Sequence, residues 1–240
     1  MRAINAIDLS GIKGLLFDKD GTLIDLTASW LPPIKQAASL VATHAKQPAL
    51  ADLLLKEGGY LAETNSWTPD SIIAFDSSEA MLACWGRLTN PELIASLSAD
   101  IQNIVANALL HSVPLVKHID GVFESLSKKY TLGVASMDDV HNVKQTLKGL
   151  NLSQYTAFYC GADSGYGHKP SAGMVNAFCQ QQNLKPNEIA VIGDSLHDLQ
   201  MAKAAGSLAI AVLSGASDRK TLTPYADFII DDIIDLRNIY

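Results

Sequence analysis

The chain has 240 residues, of which 48% are hydrophobic and 18% charged, enough to bury a sizeable core in one large domain or two modest ones. Its net charge of −7 argues against a general nucleic-acid binder, which needs a basic face, yet leaves room for an anionic substrate wherever a cation or a lysine inverts the field of one cleft. No run approaches ~18 apolar residues and the start lacks a basic stretch before a long apolar one, so neither a membrane span nor a signal peptide is expected and the cytoplasm is the expected location.

In chain order, the first apolar run is GLLFD (14–18). Residues from 27 to about 110 are rich in Ala and Leu, and four stretches read as helices: PPIKQAASLVATHA (32–45), ALADLLLKEG (49–58), SSEAMLACWGRL (77–88) and PELIASLSADIQNIVANALL (91–110). No convincing strand pair is visible among them, and the Gly- and polar-rich EGGYLAETNSWTPDS (57–71) reads as loop. Short apolar runs then resume at YTLGVAS (130–136), AFYCG (157–161), EIAVIGD (188–194), LAIAVL (208–213) and ADFIID (226–231), with helix-like stretches at 120–129, 139–150, 171–183 and 196–205. Short, continuously apolar and bounded by Gly or Asp, such runs read as strands buried on both faces. Their alternation with helices predicts an α/β fold with a doubly wound parallel sheet. The helical stretch interrupts it as an insert, which predicts a core of residues 1–26 and 112–240 and a second, α-helical domain of 27–111, with linkers near Asp25–Ala28 and His111–Pro114. Cys84, Cys160 and Cys179 are odd in number and widely spaced, and are expected to be buried free thiols.

The acids carry the functional signal. Asp18 and Asp20 end the first run, Ser136, Asp138 and Asp139 follow the second, and Asp194 ends AVIGD with Asp198 four residues on. In open α/β sheets ligands bind beyond the carboxyl ends of the strands. Two nearby carboxylates at the end of a buried strand repel each other unless something pairs with them. Clustered oxygens without His or Cys suit a hard cation such as Mg²⁺, and Gly21-Thr22 offers a tight turn whose backbone N–H groups are expected to cradle phosphate oxygens.

FDKDGTL (17–23) resembles the signature of the haloacid dehalogenase-like superfamily of phosphohydrolases, and the remaining signatures follow in family order: Ser136 in GVAS, Lys169 in GHKP and the acids of GDSLHD (193–198). The match covers residues 12–25 and about 115–215. The resemblance implies a Rossmann-like core, with the helical insert as a mobile cap like those of phosphoglycolate phosphatase and β-phosphoglucomutase relatives. It implies Asp18 as nucleophile, Asp20 as general acid and then base, and Lys169 as the cation that holds the nucleophile and a phosphate oxygen. Ser136 and the Met137 N–H would bind phosphate beside Gly21. Asp18, Asp194, the backbone carbonyl of Asp20 and Asp198 would form the Mg²⁺ site, Asp198 through water or as the partner of Lys169. The dehalogenases and phosphonatases of the superfamily lack an Asp at the place of Asp20, which favours phosphate esters.

Two departures stand out. Ala172 replaces a Pro frequent in the third motif, and Lys19 occupies a place where an apolar residue is common, either surface-directed or biasing the cleft. His168 and His197 are expected behind the acids or exposed and are not assigned to the site; Trp30, Tyr60, Trp67 and Lys56 are candidate substrate contacts, although Trp and Tyr in a helical domain are more often core. The expected activity is a Mg²⁺-dependent phosphatase acting on a small phosphorylated metabolite through an aspartyl-phosphate, as a monomer or homodimer without nucleic-acid or membrane partners. A sugar phosphomutase or a non-catalytic binder of the same ligands are the alternatives.

Overall fold

A computed structural model describes residues 9–68 and 71–238. The first apolar run becomes β1 (Gly14–Phe17), buried along its whole length. The chain then enters α1 (Leu26–His44) and α2 (Leu50–Glu57), a short antiparallel pair of β2 (Tyr60–Leu61) and β3 (Ser66–Trp67), and α3 (Ile72–Phe75), α4 (Ser78–Leu88) and α5 (Pro91–Leu109). From α6 (Ile119–Ser127) onward strands and helices alternate: β4 (Thr131–Ala135), α7 (Val140–Gly149), β5 (Thr156–Cys160), α8 (Gly173–Gln182), β6 (Ile189–Gly193), α9 (Leu196–Ala205), β7 (Leu208–Val212), α10 (Arg219–Leu222) and β8 (Phe228–Ile230).

Six strands form one parallel sheet in the order β5-β4-β1-β6-β7-β8. The expected doubly wound sheet is therefore present. The continuous apolar runs feed both of its faces. Leu15, Phe17, Val134 and Ile192 join the larger core, where Phe17 meets Phe123 of α6 with ring centroids 5.0 Å apart. Leu16, Ala135 and Val191 point the other way, into a cluster with Met174 and Phe178 of α8. This two-sided burial explains why the strands show no polar alternation.

The inserted helices differ from expectation in two places. Proline favours a helix's first turn, which predicts a start at Pro32, yet α1 begins at Leu26 and holds Pro32 and Pro33 inside it. Asp25 caps the earlier start by accepting the Ala28 N–H at 2.9 Å, and the added turn buries Trp30 and Leu31. Cap and burial outweigh the two amide donors that the prolines lack. The stretch read as loop instead holds the β2–β3 pair, with Tyr60 opposite Trp67 and their rings 5.3 Å apart. Two-residue strands are too short to show a period. α5 starts as its sequence predicts, with Pro91 in the first turn and the Asn90 side chain accepting the Glu92 N–H at 2.8 Å.

Candidate active site

β4, β1 and β6 are neighbours in register, so their carboxyl ends bring Ser136, Asp18 and Asp194 to one edge of the sheet. The chain leaves β1 towards β4 and β5 and returns on its other side at β6, which makes this edge the switch point of the topology. The Asp18 N–H donates to the Ile192 carbonyl at 2.8 Å, extending the ladder one residue beyond β1.

Lys169 joins the acids. Its ammonium donates to Asp18 Oδ1 and, at 2.6 Å, to Asp198 Oδ1. Asp198 Oδ2 accepts the Ser195 hydroxyl at 2.6 Å and the Ser195 N–H at 3.2 Å, the capping arrangement that starts α9. Asp194 accepts the Ala216 N–H at 2.9 Å and the Thr22 hydroxyl at 3.4 Å. Oxygens of Asp18, Asp194 and Asp198 lie within 4.8 Å of one another. Burial pushes the Asp18 carboxyl well above the ordinary range; Lys169 opposes the shift, and the charges of Asp198, Asp194 and Asp20 add to it. Burial and the charge of Asp198 push Asp194 up to about 7. The Lys169 ammonium loses hydration on burial, but Asp18 and Asp198 more than compensate and raise its pKa.

Three buried carboxylates thus share a single lysine. Such a cluster is short of positive charge, and its donors are all oxygen, the set that a hard divalent cation takes. The turns around it are shaped to the carboxylate: a Cβ on Gly21 or Gly215 would collide with Asp194. These residues fit a Mg²⁺-type ion.

Asp18, Lys169, Asp194 and Asp198 are therefore brought together. Ser136 is buried and its oxygen accepts the Asp138 N–H at 3.1 Å, which leaves the hydroxyl hydrogen to donate elsewhere; Met137 beside it is half-buried. The Gly21 N–H donates to the Ile24 carbonyl at 2.9 Å, within the turn that follows the acid pair. What the position requires is a positive φ, +78°, and room for Asp194. His168 and His197 are exposed, and the three cysteines are buried and free.

The sequence reading missed a second cluster around Asp20. Lys19 is fully buried, not surface-directed. Its ammonium reaches both Asp20 oxygens at 2.7–2.8 Å and lies 3.2 Å from Asp138 Oδ2. The Trp30 indole N–H donates to Asp20 Oδ1 at 2.6 Å, and the ammonium sits 4.9 Å from the centre of that ring. Asn142 donates to Asp138 Oδ1 at 2.8 Å. Burial raises Asp138 to about 6, against the pull of Lys19. The only signal in the sequence was the odd Lys between two acids.

Comparison with known proteins gives one picture. Residues 15–212 match the haloacid dehalogenase-like hydrolase family. A phosphoglycolate phosphatase of Chromobacterium violaceum is 27% identical over 235 residues, 97% of this chain and 98% of the relative; one from Vibrio vulnificus is 24% identical over 95% of this chain and 96% of its own. Among solved structures, a phosphoglycolate phosphatase predicted in Haemophilus somnus superposes with a TM-score of 0.71 at 18% identity, covering 95% of this chain and 98% of the other. A haloacid dehalogenase-like hydrolase from Streptococcus pneumoniae gives 0.67 at 19%, covering 95% and 97%.

Proposed function

We propose that this chain, which belongs to the haloacid dehalogenase-like hydrolases, is a Mg²⁺-dependent phosphatase that hydrolyses a small phosphomonoester through an aspartyl-phosphate on Asp18. The observation that carries the reading is the buried cluster of Asp18, Lys169, Asp194 and Asp198 at the switch point of the sheet. Phosphoglycolate, the substrate that the Chromobacterium and Vibrio relatives are named for, belongs to the same chemical class.

The residues divide the work. An Asp18 oxygen attacks phosphorus while the ester P–O bond breaks, and Asp20 protonates the leaving oxygen. In the second step Asp20 takes a proton from water, whose oxygen attacks the phosphorus of the aspartyl-phosphate and returns Asp18 to a carboxylate. Lys169 holds Asp18 in place and offsets charge on the transferring group. Ser136 Oγ–H and the Met137 N–H donate to phosphate oxygens. Asp18, Asp194, the main-chain carbonyl of Asp20 and, through its remaining capacity, Asp198 would hold Mg²⁺. When bound, that ion neutralises phosphoryl charge and aligns the ester for in-line displacement.

Residues 27–111 serve as the cap over a core of 1–26 and 112–240. Trp30, in the first turns of α1, reaches the acid directly, so the cap meets the chemistry at Asp20 and its closure excludes water from the first step. No helix among the described residues is long and apolar enough to cross a membrane.

Phosphate release from p-nitrophenyl phosphate tests the reading. Turnover with Mg²⁺ that is lost with chelator or with Ca²⁺, whose looser shell of 6–8 ligands spoils in-line geometry, supports it. Equal turnover with Ca²⁺, or none under any condition, overturns it.

A further inference from the structure

Each of the two carboxylates that react has its own buried ammonium. Lys169 serves Asp18 together with Asp198. Lys19 serves Asp20 together with Asp138, yet it has no task in the two chemical steps. Its main chain is fixed by the turn after β1, where its carbonyl accepts the Leu23 and Ile24 N–H groups at 2.8 and 3.1 Å. Its side chain is fully buried. The ammonium lies 2.8 Å from Asp20 Oδ1, 2.7 Å from Asp20 Oδ2 and 3.2 Å from Asp138 Oδ2.

Stability alone does not explain an ammonium there, because apolar residues of similar volume often replace a buried ion pair without loss. The geometry does. Rotation of a carboxylate about its Cβ–Cγ bond is soft, and a cation that meets both oxygens of Asp20 fixes it. Two other elements complete the arrangement. From α1, the Trp30 indole N–H donates to Asp20 Oδ1 at 2.6 Å, and the ring lies 4.9 Å from the Lys19 ammonium. From α7, Asn142 donates to Asp138 Oδ1 at 2.8 Å, as does the Asp139 N–H just before that helix, so Asp138 is held and its Oδ2 stays on the ammonium. Asp20 Oδ1 thus has two donors and Oδ2 one, which leaves Oδ2 with acceptor capacity. The Asp20 side chain keeps 18% of its surface open, whereas Lys19 and Asp138 keep 1% and 4%.

We propose that Lys19 is the positioning residue of the acid–base carboxylate: anchored by Asp138, it holds Asp20 by both oxygens in the orientation from which Oδ2 gives a proton to the leaving oxygen and later takes one from water. The proposal rests on the phosphatase reading above. Lys19 acts through Asp20 and not on the ester, so its removal weakens the help given to the leaving group. Orientation of this kind is worth a large factor, since a small misplacement of a reacting group slows a step severely.

The test compares kcat/KM for phenyl phosphate and p-nitrophenyl phosphate on the full chain with Mg²⁺. This constant covers the steps up to the aspartyl-phosphate, and phenol, the poorer leaving group, depends more on the acid. Because both esters are measured on one preparation, a loss of folded protein cancels in their ratio. Lys19→Met keeps an unbranched stem and removes the ammonium; since it leaves Asp138 buried without its cation, it is also made together with Asp138→Asn. In both variants the phenyl to p-nitrophenyl ratio should fall by about tenfold or more, part of the 10²–10⁴ that general acid–base help is worth. The same changes made on top of Asp20→Asn should leave the ratio where Asp20→Asn alone puts it, as expected of residues that act as one unit. A ratio that Lys19→Met leaves unchanged, an equal fall in the Asp20→Asn background, or a chain that folds with neither change overturns the proposal while the phosphatase reading stands. Absence of turnover of both esters by the unaltered chain removes both.

Discussion

The buried carboxylates make a metal-linked pH dependence that can be worked out in advance. Asp194 titrates at about 7 in the fold against an ordinary 3.8, chiefly through burial and the charge of Asp198. Between those values the native state holds a proton that the unfolded chain has released, so native binding exceeds unfolded binding and stability falls as pH rises. The full displacement corresponds to about 4 kcal/mol, and roughly half of it is lost between pH 5.5 and 8. For a chain of this length that is on the order of 5 °C in Tm. Asp18 and Asp138 are displaced in the same direction. Lys169 is displaced upward, so its contribution is intact below its ordinary 10.5 and does not change in this window. Mg²⁺ binds the ionised carboxylates and should remove the penalty, raising Tm far more at pH 8 than at pH 5.5. Thermal unfolding with and without Mg²⁺ at the two pH values measures this, and Asp194→Asn should make the metal-free profile shallower, with Asp18 and Asp138 left to supply the rest of the slope. A metal-free Tm that rises from pH 5.5 to 8, or a Mg²⁺ shift that is the same at both, would refute the reasoning.

Two further outcomes follow from the cluster around Asp20. In Asp20→Asn, alkyl phosphates should slow by roughly 10²–10⁴, whereas p-nitrophenyl phosphate, which scarcely needs an acid, should give a burst near one equivalent and then a weak steady rate; equal slowing without a burst would deny Asp20 its double role. Trp30→Phe keeps a ring beside Lys19 but removes the N–H that holds Asp20 at 2.6 Å, and should lower kcat for alkyl phosphates by about tenfold with a smaller effect on p-nitrophenyl phosphate, a split that stopped-flow or steady-state rates would reveal.

What was legible in the sequence was local. Asp18, Ser136 and Asp194 sit at the ends of apolar runs, and once those runs are strands of one parallel sheet their convergence follows from topology. Asp198 was visible as an acid four residues after Asp194, but Lys169 was found only through motif order, because nothing in its segment alone points at Asp18. The Lys19 cluster was not legible: whether a lysine between two acids turns outward or inward depends on Asp138 and Trp30 meeting it from other elements. The steric demand on Gly21 was hidden too, since Asp194, far along the chain, occupies the space a side chain would need. The early start of α1 was hidden by its prolines, whose cost is local while the burial of Trp30 and Leu31 that offsets it is not.

The central claim is that Asp18 carries the phosphoryl group. Mixing Asp20→Asn with p-nitrophenyl phosphate and Mg²⁺, quenching during the burst and reducing with borohydride converts an aspartyl-phosphate to homoserine, which peptide mass spectrometry locates. The account predicts homoserine at position 18, absent when Mg²⁺ is withheld and absent when Asp18→Asn is added. Reduction at another carboxylate, or a full burst after which position 18 is recovered as unreduced aspartate, would contradict it.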